Sequence, residues 1–527
     1  MKFSELTKEQ IKLAKSIYTN KEVAWDERMK ELIVLFGKSE RTTRKWCVAL
    51  GFKEKADIES EQYEEAKKRK LDTSKKRFII TWAQNNTTIH KGFYENMEAY
   101  AKYIKADIHI ILGRYKNPTS LFQEKDSEVW ADEVVKYADA NRHNVHKYLS
   151  IMSDVKIQPT ATNPMSGLQG MSGVNSCIFG SPKVQLEMIP VLDSKMPKMM
   201  LTTGSITKIN YTDSKAGKKG EFHHVYGFVV VEIKDKDKFF VRQVTADDKT
   251  GDFTDLCHKV SKGSVSKIDK ISAIVFGDLH YGNHDDEVIN QTIKMLDKIK
   301  PKHVVLHDVF DGSSINHHEM KNPFMQYAKE VHGTNSLKRE VDGMLDGLKR
   351  FEKFPNVVIV RSNHDDFVDR WLMNEDWKRQ PTSKNSPEYM RYSGILLDQY
   401  AANPGNVKGV IPALINERYP KYITLTRSST YKINGNWELG QHGDVGSNGS
   451  RGSLMQFRRL NTKVVVGHYH SPGRKDGAIS VGTSTKLRIG YNNSGSSTWL
   501  QSHVIIHEDG KAQHINFISG EYTTFKF

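Results

Sequence analysis

The chain has 527 residues, enough for about two to four domains with their own cores, and Lys plus Arg (78) exceed Asp plus Glu (63) to give a formal charge of +15. That excess points to a polyanionic partner, while three widely spaced cysteines, Cys47, Cys177 and Cys257, argue against a disulfide scaffold, match no zinc spacing and suit a reducing cytoplasm. No apolar run reaches the ~18 residues of a membrane span and MKFSELTKEQ lacks a signal core, so neither membrane insertion nor export is expected.

Residues 1–52 predict three short helices. Thr7 and Gln10 have capping-box spacing ahead of Ile11, Ala14, Ile17 and Tyr18, which share one helical face. A second helix runs through Met29, Leu32, Ile33 and Phe36 and stops at Gly37. Ser39 can cap a third, with Thr43, Trp46, Cys47 and Leu50 inward and Arg41, Arg44 and Lys45 outward. Short helix, glycine turn and basic helix resemble a helix-turn-helix, which makes these three cations candidate DNA contacts; a protein-docking bundle has the same spacing and stays open. Residues 53–76 read as a charged linker.

Residues 77–265 predict a mixed α/β domain. RFIITWAQ, an amphipathic helix through Phe93, Met97, Tyr100 and Ile104, and DIHIILGRY make a βαβ unit. A helix is expected over 128–150, and the Gly/Ser/Asn-rich 160–180 reads as a mobile or ligand-facing loop without a phosphate-loop ending. GFVVVEI and KFFVRQVTA suggest a hairpin, preceded by a solvent-facing pair, His223 and His224. No chemistry is legible here.

In residues 266–527, metal-competent side chains recur at the ends of apolar strands. ISAIVFGDLHYG stops at Asp278 and His280, alternate residues that project the same way. KHVVLHDVFDG ends in Asp308 and Asp311, and NVVIVRSNHDD in Asn363, His364 and Asp365. GQHGD carries His442, and KVVVGHYHSP ends in His468 and His470. Open α/β sheets place their sites at such carboxyl ends.

The ordered series DLH, HDVFD, SNHD, QHGD and GHYH, across roughly 270–510, resembles the calcineurin-like metallophosphoesterase superfamily, with His307 and Ser362 standing where that family's second and third blocks have glycine. The resemblance implies an α/β class overall, with a carboxyl-terminal β-sandwich flanked by helices that binds two divalent ions. Asp278, His280, Asp308 and His470 would surround one ion; Asp308, as bridge, with Asn363, His442 and His468 would surround the other. Two ions about 3.5–4 Å apart can hold opposite oxygens of a phosphodiester and activate water near neutral pH. Oxygen and imidazole ligands without thiolate favour Mn²⁺, with Mg²⁺, Fe²⁺ and Zn²⁺ as alternatives. The resemblance further implies that His364 donates a proton to the leaving oxygen and that Asp365 orients its ring.

Between the blocks, 322–353 and 366–402 are helical by pattern. Arg370, Trp371, Trp377, Lys378 and Arg379 interleave indoles and cations, as single-stranded nucleic-acid binding requires; a helix that buries its tryptophans reads the same way. Asn316, His317 and His318 follow the second block closely enough to line a cleft. The arginine that protein phosphatases carry after that block is absent, since Gly312 and Ser313 follow Asp311. With the basic charge and the front helices, this favours the nuclease branch, similar to double-strand-break repair nucleases and, in general organisation, to the large pre-early DNases with which tailed phages degrade host DNA. The expectation is a Mn-dependent DNase of the infected bacterial cytoplasm that binds DNA and no membrane, with self-association or a further protein partner open. The alternatives are a small-molecule or cyclic-nucleotide phosphodiesterase, and a DNA-binding regulator whose metal site is structural.

Overall fold

The computed structural model describes residues 3–20, 23, 25–52, 61–72, 74–115, 130–192, 196–376, 383–434 and 436–525. Their contacts separate the described residues up to Lys68 from those beginning at Arg69.

The first unit contains helices Lys8–Thr19, Trp25–Phe36, Glu40–Ala49 and Glu61–Lys68. Both arms of the capping box form, Thr7 N donating to Gln10 Oε1 (3.0 Å) and Gln10 N to Thr7 Oγ1 (3.2 Å). Ala14, Leu32, Phe36, Cys47 and Phe52 make the core. Gly37, at φ 58°, turns the chain out of the second helix, and Ser39 Oγ accepts from Thr42 N at 3.4 Å to start the third. Arg41, Arg44 and Lys45 sit on that third helix, but their side chains lie outside the described ones. Glu61–Lys68 gives helical form to part of the expected linker, whose residues 53–60 lie outside the described set.

The second unit is mixed α/β. Its described residues form sheets of five, six and ten strands and a smaller one of three. The five-stranded sheet contains the expected βαβ unit, Arg77–Gln84 parallel to Asp107–Gly113 across the helix Lys91–Ile104, and the expected hairpin, Gly227–Ile233 with Phe239–Thr245. The six-stranded sheet is centred on Ile271–Val275, Pro301–His307 and Val357–Val360, all parallel. One of its faces is covered by helices through Val288, Leu296, Val341, Leu348 and Val368. Its other face, with Ala273, Val275, Val305 and Val358, packs on Leu439, Val465, Ile479 and Val481 of the ten-stranded sheet. This is a sandwich flanked by helices.

The ten-stranded sheet crosses the expected boundary at 265/266. Gly473–Lys475 pairs with Gln185–Ile189, so strands from 142–202 continue the sheet begun by 432–480. Leu149, Ile178, Leu186 and Leu201 on the continuation pack against Phe78, Ile80, Val229 and Phe240 of the five-stranded sheet. The described residues of 77–265 and of 266–527 are therefore one compact body, because a shared sheet makes the hydrophobic layer for both. The helix expected over 128–150 is also corrected: Asp132–Val135 is helical, and the chain then extends as Ala138–Asp139, Arg142–His146 and Leu149–Met152. Buried Asp139 lies 2.9 Å from His109 Nδ1 and 2.7 Å from His143 Nε2, contacts that hold the segment extended beside Asp107–Gly113. Likewise His224 is buried, contacting Tyr211 Oη (2.8 Å) and the Thr207 carbonyl (3.0 Å), and His223 reaches Asp476 at 3.4 Å, so the pair does not face solvent. Residues 160–180 form turns, a short 3₁₀ helix and the strand Ser176–Phe179. No helix among the described residues is long and apolar enough to cross a membrane.

Candidate metal centre

The carboxyl ends of parallel strands in the two sandwich sheets supply the site. Ile271–Val275, Pro301–His307 and Val357–Val360 deliver the first three blocks; Trp437–Glu438 and Lys463–Val466, parallel in the facing sheet, deliver the last two. Immediately beyond the strands the backbone turns sharply. His280, Asp308, His468 and His470 have φ of 41°, 47°, 73° and 54°, the left-handed region that non-glycine residues enter at a cost of about 1–3 kcal/mol each. Tertiary contacts hold them there: His280 N donates to the Asp308 carbonyl at 2.7 Å, and His468 N to Asp278 Oδ2 at 2.7 Å. Gly467 explains the close approach, since a Cβ there would overlap Asp278 Oδ1 and lie 3.0 Å from Cβ and Cγ of His307.

The side chains converge. Asp278 Oδ2 is 3.0 Å from His470 Nε2, which is 3.0 Å from His280 Nε2; Asp308 Oδ2 is 3.3 Å from both His280 Nε2 and His442 Nε2. Asp278, His280, Asp308 and His470 offer ligand atoms all within 4.8 Å of one another, as do Asp278, His307 and His442, and His280, Asp311 and His364. These buried His/Asp groups could hold a metal ion. The donor set fits one on a second ground. Asp278 Oδ1, Asp308 Oδ1 and Asn363 Oδ1 are buried with no hydrogen-bond partner among the described residues, and a buried acceptor without a partner is costly unless a cation satisfies it.

Electrostatics point the same way. Burial would raise the Asp308 carboxyl, but the charges of His364, His442 and His280 hold it well below the usual carboxylate range. Burial opposes protonation of His280 and His442, yet Asp308 lifts the first well above its ordinary value and the second to about 9. The carboxylates thus demand positive charge, which a divalent cation would supply while displacing those protons. Burial, reinforced by the charge of His442, pushes His307 and His468 down to about 4.

Most residues expected at the site are brought to it, with differences in role. His468 lies beside His442, ring centroids 5.4 Å apart, but is in none of the three convergent groups. His364 packs edge-on against His280 at 4.5 Å, and its Nδ1 is 2.6 Å from the Asp311 carbonyl. Asp365 does not orient that ring. Its Oδ2 accepts from Ser362 N (2.9 Å) while Ser362 Oγ accepts from Asp365 N (3.2 Å), so it braces its own turn, and burial pushes it up to about 7. Trp371 is also corrected: it is 4 % exposed, packed on Tyr389 inside the helical core, and presents no stacking face. Arg370 on the same helix is exposed, 3.9 Å from Asp366, whereas Trp377, Lys378 and Arg379 lie outside the described residues.

Sequence reasoning gave His307 and Asp311 no role. His307 Nδ1 lies 3.3 Å from His442 Nδ1 with the rings stacked, and Asp311 Oδ1 lies 3.1 Å from His280 Nδ1, so each meets the nitrogen opposite the one turned to Asp308. Such outer contacts fix ring orientation and tautomer. Their signal was present: a histidine in place of glycine, and a second aspartate in the same block. A further brace was not readable: Arg427 spans Asp444 (2.8 Å) and Asp366 (2.7 Å), tying the fourth block to the helix after the third.

No family model matches the chain, and no solved structure matches it. Among characterised proteins it is similar to Protein A1 of Escherichia phage T5, 31% identical over 466 residues, which cover 85% of this chain and 83% of that protein.

Proposed function

The chain belongs to the family of the phage T5 Protein A1, and from that premise we propose that it is a phage-encoded, metal-dependent phosphodiesterase that cuts DNA in the host cytoplasm. The observation that carries the reading is the buried meeting of Asp278, His280, Asp308, His442 and His470, drawn from four strand ends, around carboxylate oxygens without hydrogen-bond partners among the described residues. Asp278, His280, Asp308 and His470 would hold one divalent ion, Mn²⁺ by the donor set; Asp308 would be shared with a second, completed by Asn363, His442 and His468. Bound ions supply positive charge that grips phosphate oxygens and lowers the pKa of water. His307 and Asp311 hold the backs of His442 and His280. His364 donates Nδ1–H to the Asp311 carbonyl, so the proton it gives to the leaving oxygen would be the second one, carried on Nε2 by the imidazolium, and the ring would return to the neutral Nδ1–H form. DNA as the substrate rests on the formal charge of +15 and the basic third helix of the first unit.

The test is incubation with plasmid DNA and Mn²⁺, beside a bis-phosphodiester dye and a cyclic nucleotide. DNA cleavage that stops with chelator is expected. Turnover of the cyclic nucleotide alone would make the protein a small-molecule phosphodiesterase, and no turnover of any substrate would leave a DNA-binding protein with a structural metal.

A further inference from the structure

Resting on the nuclease reading, we propose that the helix Pro323–His332 is a stacking platform for the unpaired bases of a DNA strand that enters the metal centre. The helix follows the second metal-ligand block directly, and its inner side is fixed. Asn322 caps it, and buried Lys329 donates to the Ser313 carbonyl at 2.6 Å and pairs with Glu319 at 2.5 Å. Its outer side is apolar and uncovered: Phe324, Tyr327 and Val331, at the i, i+3, i+7 spacing of one helical face, are 84 %, 73 % and 62 % exposed. Large rings displayed in this way on an anchored helix are unusual in a soluble surface and mark a binding face.

What covers the face is indicated by what stands just before it in the chain. A row of rings runs outward from the metal centre: His280 to His364 (4.5 Å), His364 to Phe367 (4.6 Å), Phe367 to His317 (5.0 Å) and His317 to His318 (3.9 Å). The row passes from fully buried His280 to exposed His317 and His318, which lie just before the helix, beside exposed Lys321. Burial and then the charge of His318 depress the protonation of His317, and the charge of Arg370 adds to them. Exposed rings that follow in the chain on a row leading out of the candidate metal centre, with Lys321 between them and Arg370 acting on His317, have the chemistry of a single strand: phosphates meet the cations and bases lie on the rings. A duplex keeps its bases stacked inside and offers such rings no face. The sequence placed this function on Arg370, Trp371, Trp377, Lys378 and Arg379, but the Trp371 indole is in the core, and the exposed rings lie on Pro323–His332, earlier in the chain and separated from the Trp371 helix by the helix Leu337–Leu348.

The experiment uses the full chain and the double variant Phe324→Ala/Tyr327→Ala. Anisotropy in Ca²⁺ would follow binding of a fluorescent single-stranded dodecamer, its abasic counterpart and a duplex; dye hydrolysis in Mn²⁺ would follow the metal centre. The wild type should prefer the intact single strand over the abasic one. The double variant should lose that preference, weakening roughly 5- to 140-fold for each stacked base lost, as ~1–3 kcal/mol per base converts at ~1.4 kcal/mol per tenfold. Tyr327→Phe, which keeps the ring, should bind as wild type, and dye hydrolysis should be unchanged in all three. Equal loss on intact and abasic strands, or no loss, would overturn the proposal; so would unchanged DNA binding with altered sedimentation, which would give the face to a second copy of the chain. Absence of dye and DNA hydrolysis in the wild type would instead sink the nuclease reading, while the binding comparison would still decide the platform.

Discussion

Replacing Gly467 by alanine adds one methyl group at the tightest point of the site. Its Cβ would lie 3.0 Å from Cβ and Cγ of His307 and overlap Asp278 Oδ1. Carbon contacts relax to about 3.5–4.0 Å, so His307 must yield by roughly 0.5–1 Å and Asp278 by at least as much. Neither has room: both are 0 % exposed, and Asp278 Oδ2 is already held by His468 N and His470 Nε2. Overpacking of this kind costs about 1–3 kcal/mol. With an unfolding entropy near ~2.1 cal/mol/K per residue, a unit of more than 400 residues should melt only ~1–3 °C lower. The functional loss should be far larger, because a ~1 Å displacement of a positioning group costs on the order of 10²-fold. Calorimetric Mn²⁺ titration, plasmid cleavage and a thermal melt on the same preparation measure all three quantities. Gly467→Ala with wild-type Mn²⁺ affinity and cleavage would refute the placement of Asp278 in the metal centre.

Asp308→Ala removes the carboxylate that faces both His280 and His442, so cleavage should fall by much more than about tenfold and one metal equivalent or more should be lost, with the circular dichroism spectrum unchanged. His364→Ala should keep its full metal complement yet cut roughly 10²–10⁴-fold more slowly; loss of metal in that variant would make His364 a ligand. Charge reversal of Arg41, Arg44 and Lys45 should lower the slope of log K against log salt by about 0.9 for each phosphate contact removed, and an unchanged slope would take the front helices out of DNA binding. Asp365, raised by burial to about 7, is protonated in the folded chain where the unfolded chain is already ionised, so metal-free stability should decline from about pH 4 and level off near 7, by up to roughly 4 kcal/mol. Asp365→Asn should flatten that decline in urea titrations run with chelator, and an unaltered pH profile would show that Asp365 is not the group responsible.

The site was legible because metal ligation dictates residue type and order: five apolar runs ended in Asp, Asn or His, and the ends met. Short motifs survive in sequence because their geometry is local, as at Gly467-His468-Tyr469-His470, where two left-handed histidines follow a glycine whose Cβ position is taken by Asp278 and His307. Roles that depend on which atom faces which neighbour were not legible. Asp365 follows His364 in sequence yet bonds Ser362, while the ring is held by a backbone carbonyl from Asp311. The same limit governed the middle of the chain. Residues 142–152 have helix-compatible composition, but the buried Asp139 network and pairing between Arg142–His146 and Leu149–Met152 decide the extended form. For Trp371, an aromatic among cations, pattern could not separate a stacking surface from a core face; four per cent exposure does.

The seam between Gly473–Lys475 and Gln185–Ile189 bears on how this chain can be divided. A fragment beginning near residue 266 would retain every expected ligand and still expose the backbone donors and acceptors of Gly473–Lys475 that now face Gln185 and Leu186. An open edge of that kind recruits strands from other molecules, so the isolated half that carries the candidate metal ligands should aggregate or pair with itself while the intact chain does not. The front half acts in this respect as a built-in edge cap. Insertions and deletions within 142–202 are then constrained by sheet closure, however far those residues lie from the chemistry.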